Sequence, residues 1–131
     1  MSHTPHPKEY AKVIALPASD RLSHFIGRVA DQEHLWGIRN DDGWLVPVAP
    51  DGLEYFPVWP HSVYAQRTSD IHFPGHTAIE IPLDDFLDSL IAMLITGGVK
   101  IAVFPDENWD FWVIEPQDLQ TLLEEELDQY E

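Results

Sequence analysis

The stretch that most limits what this chain can fold into runs from residue 79 to 105, IEIPLDDFLDSLIAMLITGGVKIAVFP, and reads as strand, helix, strand. Ile79 and Ile81 begin a short strand that Pro82 stops, because proline offers no N–H to a ladder. Asp84 and Asp85 fall in a first helical turn, where negative charge meets the positive end of the helix dipole. Phe86, Leu87, Leu90, Ile91, Leu94 and Ile95 recur at helical spacing, and Gly97-Gly98 ends the helix. Val99, Ile101, Ala102, Val103 and Phe104 then form a nearly continuous apolar run, the pattern of a strand covered on both faces. Such a unit ordinarily crosses over to a parallel strand, so one βαβ crossover in a partly parallel, helix-covered sheet is expected.

The flanking segments complete an α+β reading. Residues 8 to 16 make a first helix that Pro17 breaks, and Ser19 or Asp20 can cap a second. In that second helix Leu22, Phe25, Ile26 and Val29 form the apolar stripe, with Arg21, Arg28 and Asp31 placed toward water. Past Glu33 the period becomes strand-like: HLWGIR, the turn NDDG, WLVPV, the turn PDG, then LEYFPVW read as a three-stranded meander. Pro47 and Pro57 argue for edge positions or bulges there. Pro60 opens a short helix through Tyr64 and Ala65, and TSDIHFPGH reads as a loop. The turn DENWD joins the Val99 strand to FWVI. Glu115 and Pro116 open the last helix, with Leu119, Leu122, Leu123, Leu127 and Tyr130 facing inward. A chain of 131 residues fits a single domain, 1–131, with residues 1–7 as a frayed terminus.

Charge is the strongest signal in the composition, at a formal net of −16. It is also uneven, since residues 40 to 131 hold only Arg67 and Lys100 against nineteen acids. A polyphosphate gains affinity from each lysine or arginine that displaces counterions, so this field has the wrong sign for nucleic acid or an anionic membrane surface. The chain has no cysteine, which removes disulfides, thiolate nucleophiles and cysteine-containing zinc sites. The longest apolar run, LIAMLI, falls far short of the roughly 20 residues that span a bilayer. The start, MSHTPHPKEY, shows no export-signal pattern, and a cytoplasmic location is expected.

Phe25 through Val29, Trp36, the turn residues Asp42, Gly43 and Trp44, then FPVWPHSVYA, IPLDDFL and IAVFP together resemble a small bacterial family known as domain of unknown function 2750. The similarity runs from about Leu16 to Tyr130 and implies an α+β single domain. A weaker likeness of pattern is to the SseB N-terminal domain. Neither resemblance brings a reaction or a set of site residues with it.

Several clusters invite a chemical reading. His72 and His76 have H-x-x-x-H spacing with His61 nearby, yet Pro74 and Gly75 between them break the helix that gives the spacing its meaning for zinc. Asp106, Asn108 and Asp110 reproduce the first three ligands of a calcium loop, but the sixth and twelfth positions are Phe111 and Gln117, and a hairpin turn accounts for the same residues. No metal or other cofactor is expected. Asp41 with Asp42, and Asp84 with Asp85 and Asp88, are available as carboxylate pairs, but the first lies in a turn and the second at a helix start.

Two features point to a binding surface instead. The last helix carries Glu124, Glu125, Glu126 and Asp128 at its C-terminal end, where the dipole is already negative and a sequence chosen for stability would place lysine or arginine. Trp109, Phe111 and Trp112 crowd one hairpin, with Trp109 and Phe111 on one face and Trp112 on the other. The expectation is a non-catalytic protein-interaction module that docks a basic partner through these residues. The alternative is a small-ligand binder or hydrolase with a carboxylate-lined pocket near Trp44, Trp59 and His61. A homodimer joined through the exposed aromatic face is a third arrangement.

Overall fold

The computed structural model describes residues 6–129. Tyr130 and residues 1–5 of the expected frayed terminus lie outside the described residues. His6 caps the first helix, its ring accepting a hydrogen bond from the Lys8 N–H. The helices are α1 (Pro7–Ile14), α2 (Ala18–Gln32), α3 (Ser62–His72), α4 (Leu83–Asp85), α5 (Ile91–Gly97) and α6 (Pro116–Asp128). The strands are β1 (His34–Asn40), β2 (Gly43–Trp44), β3 (Tyr55–Val58), β4 (Thr77–Pro82), β5 (Lys100–Val103) and β6 (Trp112–Ile114). The α+β class holds, with parallel and antiparallel pairing both present.

The strands form two three-stranded sheets in the orders β2-β1-β4 and β3-β5-β6. The crossover expected between the Ile79 and Val99 strands is not there. β4 runs antiparallel to β1 from Thr77 to Pro82, while β5 pairs in parallel with β3 and antiparallel with β6. The parallel connection therefore leaves β3, passes through α3, β4 and the following helix, and returns as β5. Periodicity identified the elements and says nothing about their partners. The reading of β5 as covered on both faces is correct, since Ile101, Ala102 and Val103 are fully buried in the centre of their sheet.

The meander also survives only in part. β1 and β2 form its first hairpin, with Asn40 Oδ1 accepting the Asp42 N–H in the turn. β3 meets β1 at a single bridge, in which Trp36 and Trp59 exchange backbone hydrogen bonds of 2.9 Å each. The next such pair would need an N–H from residue 57 for the carbonyl of Ile38. Proline has none, and Leu45 of the β2 segment donates to that carbonyl instead, at 2.9 Å. Pro57 thus occupies the edge side of its sheet, as a strand proline must.

Four further expectations are corrected. Pro17 stands at the N-cap of α2 without a side-chain cap, so neither Ser19 nor Asp20 serves there. α3 continues to His72, and only residues 73–76 form the loop before β4. Arg21 is not toward water; it is 1% exposed. It stands four and eight residues before Phe25 and Val29, on the same helical face as the core. The helix after β4 starts and stops where expected, with Gly98 left-handed at its end, but Phe86–Leu90 widens into a π-helical turn between α4 and α5. Ile95, placed inward by its spacing, is exposed on α5.

Two tyrosines set an alkaline limit on this core. Burial pushes the Tyr64 hydroxyl up to about 12. Burial, and then its 2.8 Å hydrogen bond to Glu107, moves Tyr10 in the same direction. Unfolded tyrosine ionises near 10, so their contribution to stability is fully present below about pH 10 and is lost as pH rises toward 12. His24 works in the opposite sense, because burial and then Arg28 lower its value, so its contribution is present above about pH 6.5 and is lost on acidification. Urea midpoints should therefore be flat from about pH 7 to 10 and fall beyond it, together with a rise in tyrosinate absorbance. Tyr64 ionising near pH 10 in a chain that stays folded would contradict this.

Candidate functional site

The hairpin that joins β5 to β6 is held from beneath by Arg21. Its Nε donates to the Phe104 carbonyl at 3.0 Å, its Nη2 to the Asp110 carbonyl at 2.9 Å, and its Nη1 to the Leu16 carbonyl. The Asp106 and Asp110 carboxylates lie 3.7 and 3.5 Å from the same guanidinium. Asp106 Oδ1 accepts the N–H groups of Asn108 and Asp110, which closes the turn as expected of aspartate. Two residues of this hairpin are left-handed, Phe104 at φ 52° and Trp109 at φ 63°. A large side chain held in that region costs on the order of 1–3 kcal/mol, and such strain concentrates where a side chain must be aimed.

Trp109 is aimed into a groove of about 470 Å³. Its rings form a series: Tyr55 lies 5.6 Å from Phe111, Phe111 5.5 Å from Trp109, and Trp109 5.0 Å from Phe73, centroid to centroid. The opposite wall is the segment Pro47–Pro50, tied down by the Tyr55 N–H to the Pro47 carbonyl at 3.0 Å and the Ala49 N–H to the Leu53 carbonyl at 2.8 Å. Val48, on this wall, is 64% exposed. Trp109 and Phe111 thus share a face, although neither lies in a strand. Trp112 points elsewhere; it and Val113 are 40% and 44% exposed on the edge strand β6.

The acidic residues of α6 touch other parts of the molecule. Leu119 and Leu123 bury the inner face of the helix, while Glu124, Glu125 and Asp128 are exposed and Glu126 is half-buried. Glu125 and Glu126 border a depression of about 220 Å³ shared with Ser23 and Ile26 of α2.

Trp44, Trp59 and His61 do not come together as a pocket. Trp59 is fully buried, its Nε1–H given to the Pro105 carbonyl at 2.9 Å. His61 is buried and caps α3, its Nδ1 accepting the Val63 N–H at 3.1 Å. Trp44 alone faces an opening, a cavity of about 350 Å³ with Arg39, Glu80, Asp85 and Met93 on its walls. It rests over Gly37, where an added Cβ would come within 3.0 Å of the indole, and under the Arg39 guanidinium at 5.3 Å. His72 and His76 bond separate carbonyls, those of Glu107 and Phe73. Among the described residues no group of three or more histidine, aspartate or glutamate side chains is arranged to hold a metal ion. No helix among them is long and apolar enough to cross a membrane.

The family model described as "Protein of unknown function (DUF2750)" matches residues 22–123. The chain belongs to that family. The match takes in every residue lining the aromatic groove, and Glu124 to Asp128 lie beyond it. No curated protein is significantly similar to this DUF2750 member in sequence. Among solved structures, "Anabaena Tic22 (protein transport)" is similar at a TM-score of 0.37 and 12% identity. That alignment covers 67% of this chain and 46% of the other, so the chain spans about half the length of that structure.

Sequence reasoning reached Trp109 and Phe111 but not their neighbours. Tyr55, Phe73 and Pro47–Pro50 come from three separate segments, and only the fold brings them together. The one local sign was an apolar Val48 between two prolines.

Proposed function

We propose that the protein is a non-catalytic, cytoplasmic bacterial interaction module that docks a basic protein segment in the groove formed by Tyr55, Phe73, Trp109 and Phe111. The observation that carries this reading is Trp109, a bulky residue held at a positive φ beside a buried arginine, whose half-buried ring lines the groove. Aromatic side chains in a preformed concavity provide most of the energy of many docking sites. The net charge of −16, with Glu124, Glu125, Glu126 and Asp128 at the end of α6, speeds the encounter with a basic partner and repels nucleic acid.

Native mass spectrometry of the protein captured from its own cells tests this directly. The expected result is a partner present at low salt, lost in a high-salt wash, and absent from a Trp109→Ala chain that remains folded. A bare monomer at both salt concentrations, or a partner that Trp109→Ala retains, would overturn it. Glu124→Gln, Glu125→Gln and Glu126→Gln together should slow association several-fold with little change in dissociation. They should also leave stability unchanged or raise it by a few tenths of a kcal/mol per residue, because the dipole opposes each charge. Stopped-flow association and urea unfolding read the two effects separately.

A second reading, small-ligand binding, rests on the cavity beside Trp44, which has carboxylates from Glu80 and Asp85 on its walls. Self-association rests on the exposed Trp112 and Val113 of edge strand β6. Metabolite thermal-shift screens and concentration-dependent mass distinguish these from docking in the groove.

A further inference from the structure

We infer that the groove takes a proline-rich segment in the polyproline II conformation, with arginine or lysine at its ends. This rests on the reading of the groove as a protein-docking site and names the chemistry of the partner.

Three features of the groove match such a segment. The first is spacing. Adjacent rings in the series Tyr55, Phe111, Trp109, Phe73 stand 5.0 to 5.6 Å apart. Two such steps can span the rise of one turn of a polyproline II helix, about 9 Å for three residues. Prolines three apart can therefore rest on alternate rings of the series, and each meets aromatic surface without giving up rotamer freedom.

The second is hydrogen bonding. A polyproline II segment has no internal hydrogen bonds, so its carbonyls need donors wherever water is displaced. Tyr55 and Trp109 line the groove, and neither the Tyr55 hydroxyl nor the Trp109 Nε1–H is used in a hydrogen bond among the described residues. The third is charge. Asp51 and Glu54 flank the Pro50 and Tyr55 side of the groove, and Asp70 precedes Phe73 by one helical turn. All three are exposed. An apolar channel with carboxylates at both ends suits an uncharged middle with basic ends.

The test is a titration of the isotope-labelled full chain with a synthetic peptide carrying two Pro-x-x-Pro repeats between terminal arginines, followed by NMR. Trp109→Phe assigns the indole resonance, and controls are the same peptide scrambled to separate its prolines and a version with glutamate ends. The expected result is a saturating shift of the Trp109 indole and Tyr55 amide, with binding at least about tenfold weaker for the scrambled peptide. Asp51→Asn with Glu54→Gln, both at exposed positions, should weaken binding of the arginine peptide without altering the rest of the spectrum. Asparagine keeps the side-chain oxygen with which Asp51 accepts the Leu53 N–H, so the turn is preserved.

Equal binding of the scrambled peptide would overturn the proline assignment and leave the groove as a site for basic protein segments. So would a salt-labile partner captured through Trp109 that lacks proline. No shift with any peptide, alongside no partner lost by Trp109→Ala, would remove both readings. A Trp109 indole that shifts with protein concentration alone would identify a second copy of this chain as the occupant.

Discussion

Replacing Arg21 with methionine is expected to cost about 3–5 kcal/mol, the range for removing one partner of a buried ion pair. The side chain is 1% exposed, and its loss leaves the carbonyls of Leu16, Phe104 and Asp110 without their donor. It also leaves Asp106 beside a hydrocarbon chain in place of a guanidinium. A small domain is stable by about 5–15 kcal/mol in total, so the variant should sit close to unfolding. Arg21→Lys should fall between, because one ammonium cannot reproduce the planar fork that serves three carbonyls at once. Urea unfolding followed by tryptophan fluorescence gives the difference. A loss under about 1 kcal/mol for methionine would mean that Arg21 behaves as a surface ion pair and does not hold the hairpin. The groove should respond before the fold does. In the lysine variant, hydrogen exchange at Asn108 and Asp110 should quicken while the β5 amides stay protected.

Trp59→Ala is expected to cost a similar amount, about 3–5 kcal/mol, for a different reason. The ring is fully buried at the bridge between β1 and the end of β3, where Trp36 and Trp59 exchange backbone bonds and Pro57 prevents a second such pair. With so little backbone pairing at the seam, packing of the indole has to hold it. Trp59→Phe separates the contributions, since it keeps most of the ring and removes the Nε1–H that bonds the Pro105 carbonyl at 2.9 Å. That variant should lose about 1–3 kcal/mol, the cost of an unpaired buried carbonyl. If phenylalanine were neutral and alanine cost under about 1 kcal/mol, the seam would be held elsewhere.

Local pattern revealed the elements here far better than their partners. The apolar run 99 to 104 was legible as a doubly covered strand because burial on both faces leaves no polar alternation. Its parallel neighbour was not, since β3 and β4 are both short segments and no local pattern says which of them lies beside β5. Arg21 was misplaced by its chemistry, not by its position: its spacing to Phe25 and Val29 put it on the core face, and its charge argued otherwise. The backbone carbonyls that satisfy it belong to residues 83 and 89 positions away for Phe104 and Asp110, so no local window contains them. Trp109 and Phe111 were visible as a cluster of aromatic residues, whereas the left-handed turn that aims Trp109 depends on Asp106 and Arg21 acting together. Of the residues expected around a pocket near Trp44, Trp59 and His61, only Trp44 lines a cavity, because neighbours in sequence separated: Trp59 turned into the seam and His61 onto a helix end.

Docking in the aromatic groove is the central claim, and photo-crosslinking from inside the groove tests it most directly. A photoreactive phenylalanine at position 73, irradiated in a fresh low-salt extract of the cells that make it, should join the chain to one other protein. That adduct should disappear when Trp109→Ala is present in the same chain and when the extract is brought to high salt before irradiation. An adduct only with a second copy of this chain, one that Trp109→Ala leaves intact, or none at all would contradict the account.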